Sequence, residues 1–448
     1  MKKTIHPITR IEGHADIELE VDGKGRFKSL RLLIGSFRGF EKLLEGRPVE
    51  EVPRIVTRIC GLCPWSHHLA SVKAIERALG IDVPPRAEAL RRLAFLISHI
   101  QDKILHFFLM SLPDFLSKDE GRRVSGLGEV LKMEPEVAKR ALEAKKTCFD
   151  LLEILGGKAI HPVSIVIGGV ASPPGKEALR TIKRATKRLL EFSQWALSYS
   201  KERFFIPLKE SLWEIPCEKT GFLGTVDEDG WLELYHGNLK LLGPTGEVAL
   251  FQREDYGDYL VEEEVDWSYS KLVKTDLWGR GHGQRGIYRV NALSRLLVSK
   301  GPSTRIAQGE YGQFLSELGM HAWHPMNYHW ARLIEMLYCA EEALKILEGI
   351  DLLEGPALSS RTWVAEAGDT RRYTGIGSLE APRGTLIHHY EIDSKGILRQ
   401  ANLIVGTTHN IAPMAEDAQR IAEGCLERGE GLEQVREKVA LVVRAHDP

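Results

Sequence analysis

Helical periodicity constrains this chain more than any other feature. Apolar residues recur at helical spacing over 68–79, over a long run from about 87 to 112, over 136–155 and over 176–200, where Ser172-Pro173-Pro174 supplies a start signal. Further helices are expected at 304–318 and 327–348, and a last one at roughly 413–445. β structure enters between them. Residues 15–34 alternate through Ile17, Leu19 and Val21, turn at Asp22-Gly23-Lys24-Gly25 and resume, which predicts a hairpin. A second hairpin is expected over 384–405, turning at Asp393-Ser394-Lys395-Gly396. Between 217 and 265, Gly, Asp and Pro punctuate short β-like runs such as Trp231-Leu232-Glu233-Leu234-Tyr235, and acidic Glu262-Glu263-Glu264 follows. We read this segment as a β-rich surface insertion. There is no internal repeat and no low-complexity linker. The expectation is therefore an α+β fold, mostly helical, with residues 1–448 as one interwoven domain: a central helix bundle with peripheral β-hairpins and small sheets.

Composition narrows the function classes. With 43% hydrophobic and 27% charged residues the chain can bury a large core. Sixty basic against 62 acidic residues leave a net charge of −2, which points to neither nucleic acid nor an anionic membrane surface. Met1-Lys2-Lys3-Thr4-Ile5-His6-Pro7 has no apolar run behind its lysines and is no secretory signal. No stretch reads as the ~18 to 20 apolar residues of a membrane span. Any contact with a membrane is expected to run through a partner.

Six unevenly spaced cysteines do not make a disulfide framework. Cys148, Cys217, Cys339 and Cys425 stand alone and read as small buried hydrophobes. Cys60 and Cys63 differ, lying in Arg58-Ile59-Cys60-Gly61-Leu62-Cys63-Pro64-Trp65-Ser66-His67. Two thiols at this spacing can reach one metal, Gly61 lets the chain turn between them, and the positive end of the helix that follows favours thiolates. No second C-x-x-C or H-x-x-x-H completes a zinc site, and the βαβ context of a redox C-x-x-C is missing. What remains is a two-thiolate half-site. Its soft ligands suit nickel, low-spin iron, copper(I) or zinc.

Further motifs surround it. Thr9-Arg10-Ile11-Glu12-Gly13-His14 precedes the cysteines, and Phe37-Arg38-Gly39-Phe40-Glu41 lies between. Asp102 and His106 follow in the long helical run, then Gly156-Gly157-Lys158-Ala159-Ile160-His161-Pro162, Glu380-Ala381-Pro382-Arg383-Gly384 and Arg444-Ala445-His446-Asp447-Pro448. In this order, from residue 9 to 448, the set resembles the large subunit of nickel–iron hydrogenases. The middle insertion and Tyr328-His329-Trp330-Ala331-Arg332 resemble the cytoplasmic, methyl-viologen-reducing branch that couples to heterodisulfide reductase.

The resemblance implies reversible heterolytic splitting of dihydrogen. It implies nickel, an iron carrying cyanide and carbon monoxide, and a place for magnesium. Cys60 would be a terminal nickel ligand and Cys63 a bridge between nickel and iron. His67 would donate a hydrogen bond to a bridging sulfur; read alone, it is a helix-capping imidazole. Glu12 matches the proton-relay carboxylate, against a plain ion pair with Arg10. Glu41 matches the magnesium carboxylate, with the Leu403 carbonyl as a second oxygen ligand. Arg383, always charged, would polarise dihydrogen over the metal, gripped by Asp102 and Asp447. Thr407 matches a hydroxyl bonded to an iron-bound cyanide. No iron–sulfur cysteine motif is present, so electrons are expected to leave through an iron–sulfur small subunit, then a further electron-transfer subunit and heterodisulfide reductase, all in the cytoplasm.

One departure stands out. The family pattern continues past Asp-Pro into a second C-x-x-C, whereas this sequence ends at Pro448, and Cys425 lies too far upstream to substitute. Three explanations stay open: a selenocysteine codon read as a stop, a truncation or split gene, or a true loss. True loss would leave a quinone-reductase-like or metal-free structural relative, although the former lineage also lost the first cysteine pair, which persists here.

Overall fold

The computed structural model describes residues 8–35, 38–278, 286–360, 363 and 370–448, together with the backbone of the strand Lys2–Ile5. Phe37 of the motif Phe37-Arg38-Gly39 lies outside these residues. Prolines open the first long helices, α1 (Pro64–Leu79), α2 (Pro85–Ile104) and α3 (Pro135–Gly156). Proline at the first helical position loses no hydrogen bond and presets φ, so each start is sharp. Helices α4 (Lys176–Ser200) and α5 (Tyr328–Gly349) complete the centre. Helix α2 packs against α3 and α5, and α5 packs against α4. The middle position of α5 explains why it is buried on nearly every side, including Trp330, Arg332, Glu335 and Cys339. The architecture is α+β, with this bundle at its core and several small sheets around it.

The run expected over 87–112 is not one regular helix. After Ile104 it widens into π-helical turns over Leu105–Ser111 before α-helix resumes over Leu112–Asp119. Pro113 has no N–H for the carbonyl four residues back, so a regular ladder cannot pass through it. Taken whole, Pro85–Asp119 is long and apolar enough to cross a bilayer, which the sequence reading did not anticipate; 83% of its most apolar window is buried inside the protein, as for a core helix. The last expected helix is also two: α6 (Gly406–Glu427) and α7 (Leu432–His446). Pro413 lies inside α6, and Gly429, at φ 73°, breaks the chain between them.

The first hairpin pairs β1 (Ala15–Val21) with β2 (Phe27–Ile34), and Lys2–Ile5 adds a third strand outside β1. Within 217–265 the strand β3 (Gly221–Val226) is buried along its whole length, and its Leu223 shares a core with Ile376, Ile387 and Ile404; this part of the expected insertion is interior rather than surface. The second expected hairpin, β5 (Gly384–Asp393) and β6 (Leu398–Ile404), forms the middle strand and one edge of a three-stranded sheet whose other edge is β4 (Arg372–Ala381). This sheet lies on α1. Gly375 and Gly377 make the approach possible: a Cβ there would stand 2.1 Å from the Ala74 carbonyl oxygen and 2.0 Å from that of Ala70.

Candidate metal centre

Segments from across the chain meet at one cavity of about 280 Å³. Its lining includes Glu12 from the loop before β1, Cys60, Cys63 and His67 from the start of α1, and Arg383 from the β4–β5 turn. Leu403, Thr407 and Pro448 close it from β6, the start of α6 and the chain end, and Glu41 lies on its rim. Asp102 and Asp447 stand behind Arg383. Residues scattered over the whole sequence are thus brought into one place, and every candidate named above is at it or bonded to it.

Cys63 caps α1, immediately before Pro64. Its N–H donates to Cys60 Sγ at 3.3 Å, so both sulfurs face the same space. A hydrogen bond with the Cys63 side chain, helped by the charge of Arg383 and the Cys63 N–H, lowers the Cys60 thiol against the effect of burial. Cys63 moves the opposite way: the bond to Cys60, burial and the Cys60 charge all raise it. Cys60 is the first of the pair to become a thiolate.

Arg383 is half of the two-residue turn Pro382-Arg383 between β4 and β5, where Ala381 pairs with Gly384. A Cβ on Gly406 would stand 2.9 Å from the Arg383 carbonyl carbon, so only glycine lets α6 begin there. The guanidinium is 4% exposed. It donates from Nη1 to Asp102 Oδ2 at 2.9 Å and from Nη2 to Asp447 Oδ1 at 3.0 Å. Burial opposes its charge, but Asp102, Asp447 and the two thiols outweigh burial and hold its pKa above the ordinary arginine value. Asp447 reaches it from the left-handed position (φ 58°) that ends α7.

Glu12 does not form the ion pair with Arg10 that would make it structural. Arg10 bonds Asp114 at 2.6 Å instead, while Glu12 Oε1 accepts the Gly61 N–H at 3.1 Å and so sits against the Cys60–Cys63 loop. His67 is fully buried, and burial holds its pKa near 3. Its Nδ1 is engaged by His388, whereas Nε2 has no partner among the described residues. The capping role is not observed, since no side chain caps α1. Glu41 Oε1 accepts from Arg38 at 2.6 Å and from the Leu403 N–H at 3.1 Å, which places those two candidates side by side.

Several participants were not singled out from the sequence. Arg295, fully buried, donates to Glu335 and Glu380 and to the carbonyls of Ala381 and Pro382, fixing the turn that carries Arg383. Lys103 adds a second cation to Glu335 at 2.7 Å. Arg332 lies 3.7 Å from Asp447 Oδ2. Only His388-x-Tyr390, two polar residues on an otherwise apolar face of their strand, carried a visible signal.

Comparison with known proteins places this geometry in a family. Residues 38–120 and 280–448 match the nickel-dependent hydrogenase family, and residues 2–37 match a HoxL-like family. The chain is 35% identical to a subunit of the F420-non-reducing hydrogenase of Methanothermobacter thermautotrophicus, over all of this chain and 93% of that one. It is 31% identical to the NAD-reducing hydrogenase HoxS subunit beta of Cupriavidus necator, with the same coverage. Among solved structures, an NAD+-reducing [NiFe]-hydrogenase in the H2-reduced state superposes with a TM-score of 0.91 at 32% identity, over all of this chain and 98% of the other. The chain belongs to the nickel-dependent hydrogenases, as a large subunit. It is an oxidoreductase of that family, whose chemistry is the activation of dihydrogen at a nickel–iron centre.

Proposed function

We propose that Cys60 and Cys63 hold one side of the nickel–iron centre, and that Arg383 and Glu12 assist the heterolytic splitting of dihydrogen beside it. The observation that carries this reading is the forked Arg383, pinned by two buried carboxylates, in the wall of the cavity that holds the two thiols. The residues fit such a group: two adjacent soft donors, a fixed cation, and a buried His67 Nε2 with no partner among the described residues. Among the described residues no cluster of three or more His, Cys, Asp or Glu could hold a metal, so the pair supplies part of a ligand set. When bound, the metals supply the Lewis-acidic and redox chemistry that takes up the electron pair of dihydrogen.

The chain's own residues do the rest. Arg383 keeps its charge, and its two carboxylates stop it from swinging away. Glu12, anchored by the Gly61 N–H beside the thiols, accepts the released proton at its carboxylate. Thr407, in the first turn of α6, offers a hydroxyl to a cyanide on iron, whose cyanide and carbon monoxide ligands belong to this proposal. Magnesium would bind at Glu41. Leu403 turns its N–H out of the sheet toward that carboxylate, and an antiparallel strand residue carries its carbonyl to the same side. Arg38 would have to yield Glu41 Oε1 to the ion.

Both relatives are named as subunits of their enzymes, which supports a heteromeric complex. An iron–sulfur small subunit is the proposed electron outlet, with a further electron-transfer subunit and heterodisulfide reductase beyond it, in the cytoplasm. Glu12→Gln tests the site in the purified native complex. Hydrogen–deuterium exchange should stop while nickel and iron content stays at the parent level; unchanged exchange would remove Glu12 from the reaction.

A further inference from the structure

Behind the cavity a closed set of four buried polar side chains connects α1 to β5. His67 and Ser71 are four apart on α1, and His388 and Tyr390 are two apart on β5, so each pair shares one face of its element. The two faces meet. His67 Nδ1 lies 3.1 Å from His388 Nε2, His388 Nδ1 lies 2.7 Å from Tyr390 Oη, and Tyr390 Oη lies 3.2 Å from Ser71 Oγ. All four are fully buried. The outer end of the chain, His67 Nε2, has no partner among the described residues, and His67 borders the cavity of Cys60 and Cys63.

The 3.1 Å contact between two ring nitrogens requires a proton on one and a lone pair on the other, and full burial disfavours charge on either imidazole. Each ring then carries one proton, and the chain can be ordered in only two ways. If protons point inward, His67 Nδ1 donates to His388, His388 Nδ1 donates to Tyr390, Tyr390 donates to Ser71, and His67 presents a bare lone pair to the cavity. If they point outward, Ser71 donates to Tyr390, Tyr390 donates to His388 Nδ1, His388 Nε2 donates to His67 Nδ1, and His67 presents an Nε2–H. Facing anionic sulfur, a lone pair is repelled and an N–H is attracted. The outward order alone matches the charge in the cavity.

From this geometry we infer that His388, backed by Tyr390 and Ser71, is a positioning residue that fixes the His67 tautomer and so aims an N–H at the metal-binding sulfurs. The inference rests on the nickel–iron reading above for the sulfur's charge, but the hydrogen-bond chain exists independently of it. A donor on sulfur withdraws electron density from the metals, so the relay tunes the centre without touching it.

Two measurements on the complete complex test this. Neutron diffraction of the deuterated complex should show deuterium on Nε2 of both His67 and His388, with the Tyr390 hydroxyl directed at His388 Nδ1. Deuterium on Nδ1 of both rings overturns the inference. The second measurement reads the infrared bands of the diatomic ligands on iron. His388→Leu removes the donor and should move these bands to lower wavenumber with nickel content retained, while His388→Gln, whose amide N–H can replace the imidazole donor, should stay near the parent. Tyr390→Phe, which keeps the ring in place, should shift the bands in the same direction by less, and serves if the Leu variant does not assemble. Unmoved bands in the Leu and Phe variants refute the relay. If the parent complex shows no such bands, the nickel–iron reading fails instead, and the neutron result still decides the tautomer.

Discussion

Arg383→Lys separates a positioned guanidinium from a mere positive charge. In the parent, two nitrogens of one planar group reach two carboxylates on different elements, at 2.9 Å to Asp102 and 3.0 Å to Asp447. Lysine has one nitrogen on a flexible stem and cannot keep both bonds in that geometry. Asp102 Oδ1 and Asp447 Oδ2 already lack a hydrogen-bond partner among the described residues, so a second unpaired oxygen on either group adds to an existing deficit. Losing one buried charge-assisted bond costs roughly 1.5–3 kcal/mol, which lowers the thermal midpoint without abolishing the fold. For the reaction, displacement of a catalytic group by about 1 Å can cost ~100-fold in rate. Hydrogen oxidation with an artificial acceptor should therefore fall by about 100-fold, with nickel and iron content unchanged. A lysine variant that turns over within a few-fold of the parent would mean that charge alone suffices and that the fork has no catalytic purpose.

Other residues yield further expectations. Cys60→Ala or Cys63→Ala should each abolish stoichiometric nickel, measured by elemental analysis of the assembled complex, because thiolate is the ligand; nickel retained in either variant removes that cysteine from the ligand set. Arg295→Met leaves Glu380 without its cation and Glu335 with only Lys103, so the folded state should lose roughly 3–5 kcal/mol. A thermal midpoint within a degree or two of the parent contradicts that accounting. Burial holds His67 and His409 near 3 and His68, His99 and His324 near 4. These rings protonate below about pH 6.5 when unfolded, so the unfolded chain binds more protons and stability falls as pH drops from about 6.5 toward 4, by about 1.4 kcal/mol per pH unit for each ring. Midpoints should be level between pH 7 and 8 and drop steeply below 6.5; a level profile down to pH 5 would show that these histidines are not buried neutral.

Much of the site was legible because its chemistry sits in short motifs. Arg58 to His67 and Glu380 to Gly384 keep their spacing, and the structure brings both to one cavity with Glu12. What was hidden depends on contacts between distant segments. The strand β4 escaped notice because Gly375 and Gly377 read as strand breakers, whereas their missing side chains are what lets the sheet lie on α1. The π-helical turns of Leu105–Ser111 leave apolar spacing almost unchanged, so periodicity could not reveal them. The split between α6 and α7 rests on the left-handed φ of Gly429, a backbone conformation that apolar spacing does not report. Arg295 gave no warning at all: an arginine in Asn291-Ala292-Leu293-Ser294-Arg295 reads as a surface residue until Glu335 and Glu380 close around it.

The most direct test of the account is the nickel and iron content of the native complex purified without air. Close to one nickel and at least one iron attributable to this subunit, both lost from the Cys60→Ala/Cys63→Ala double variant, is the result predicted by a half-site built on these thiols. A correctly assembled complex containing no nickel would contradict it, and would leave the cavity of Cys60, Cys63 and Arg383 without the reaction proposed for it.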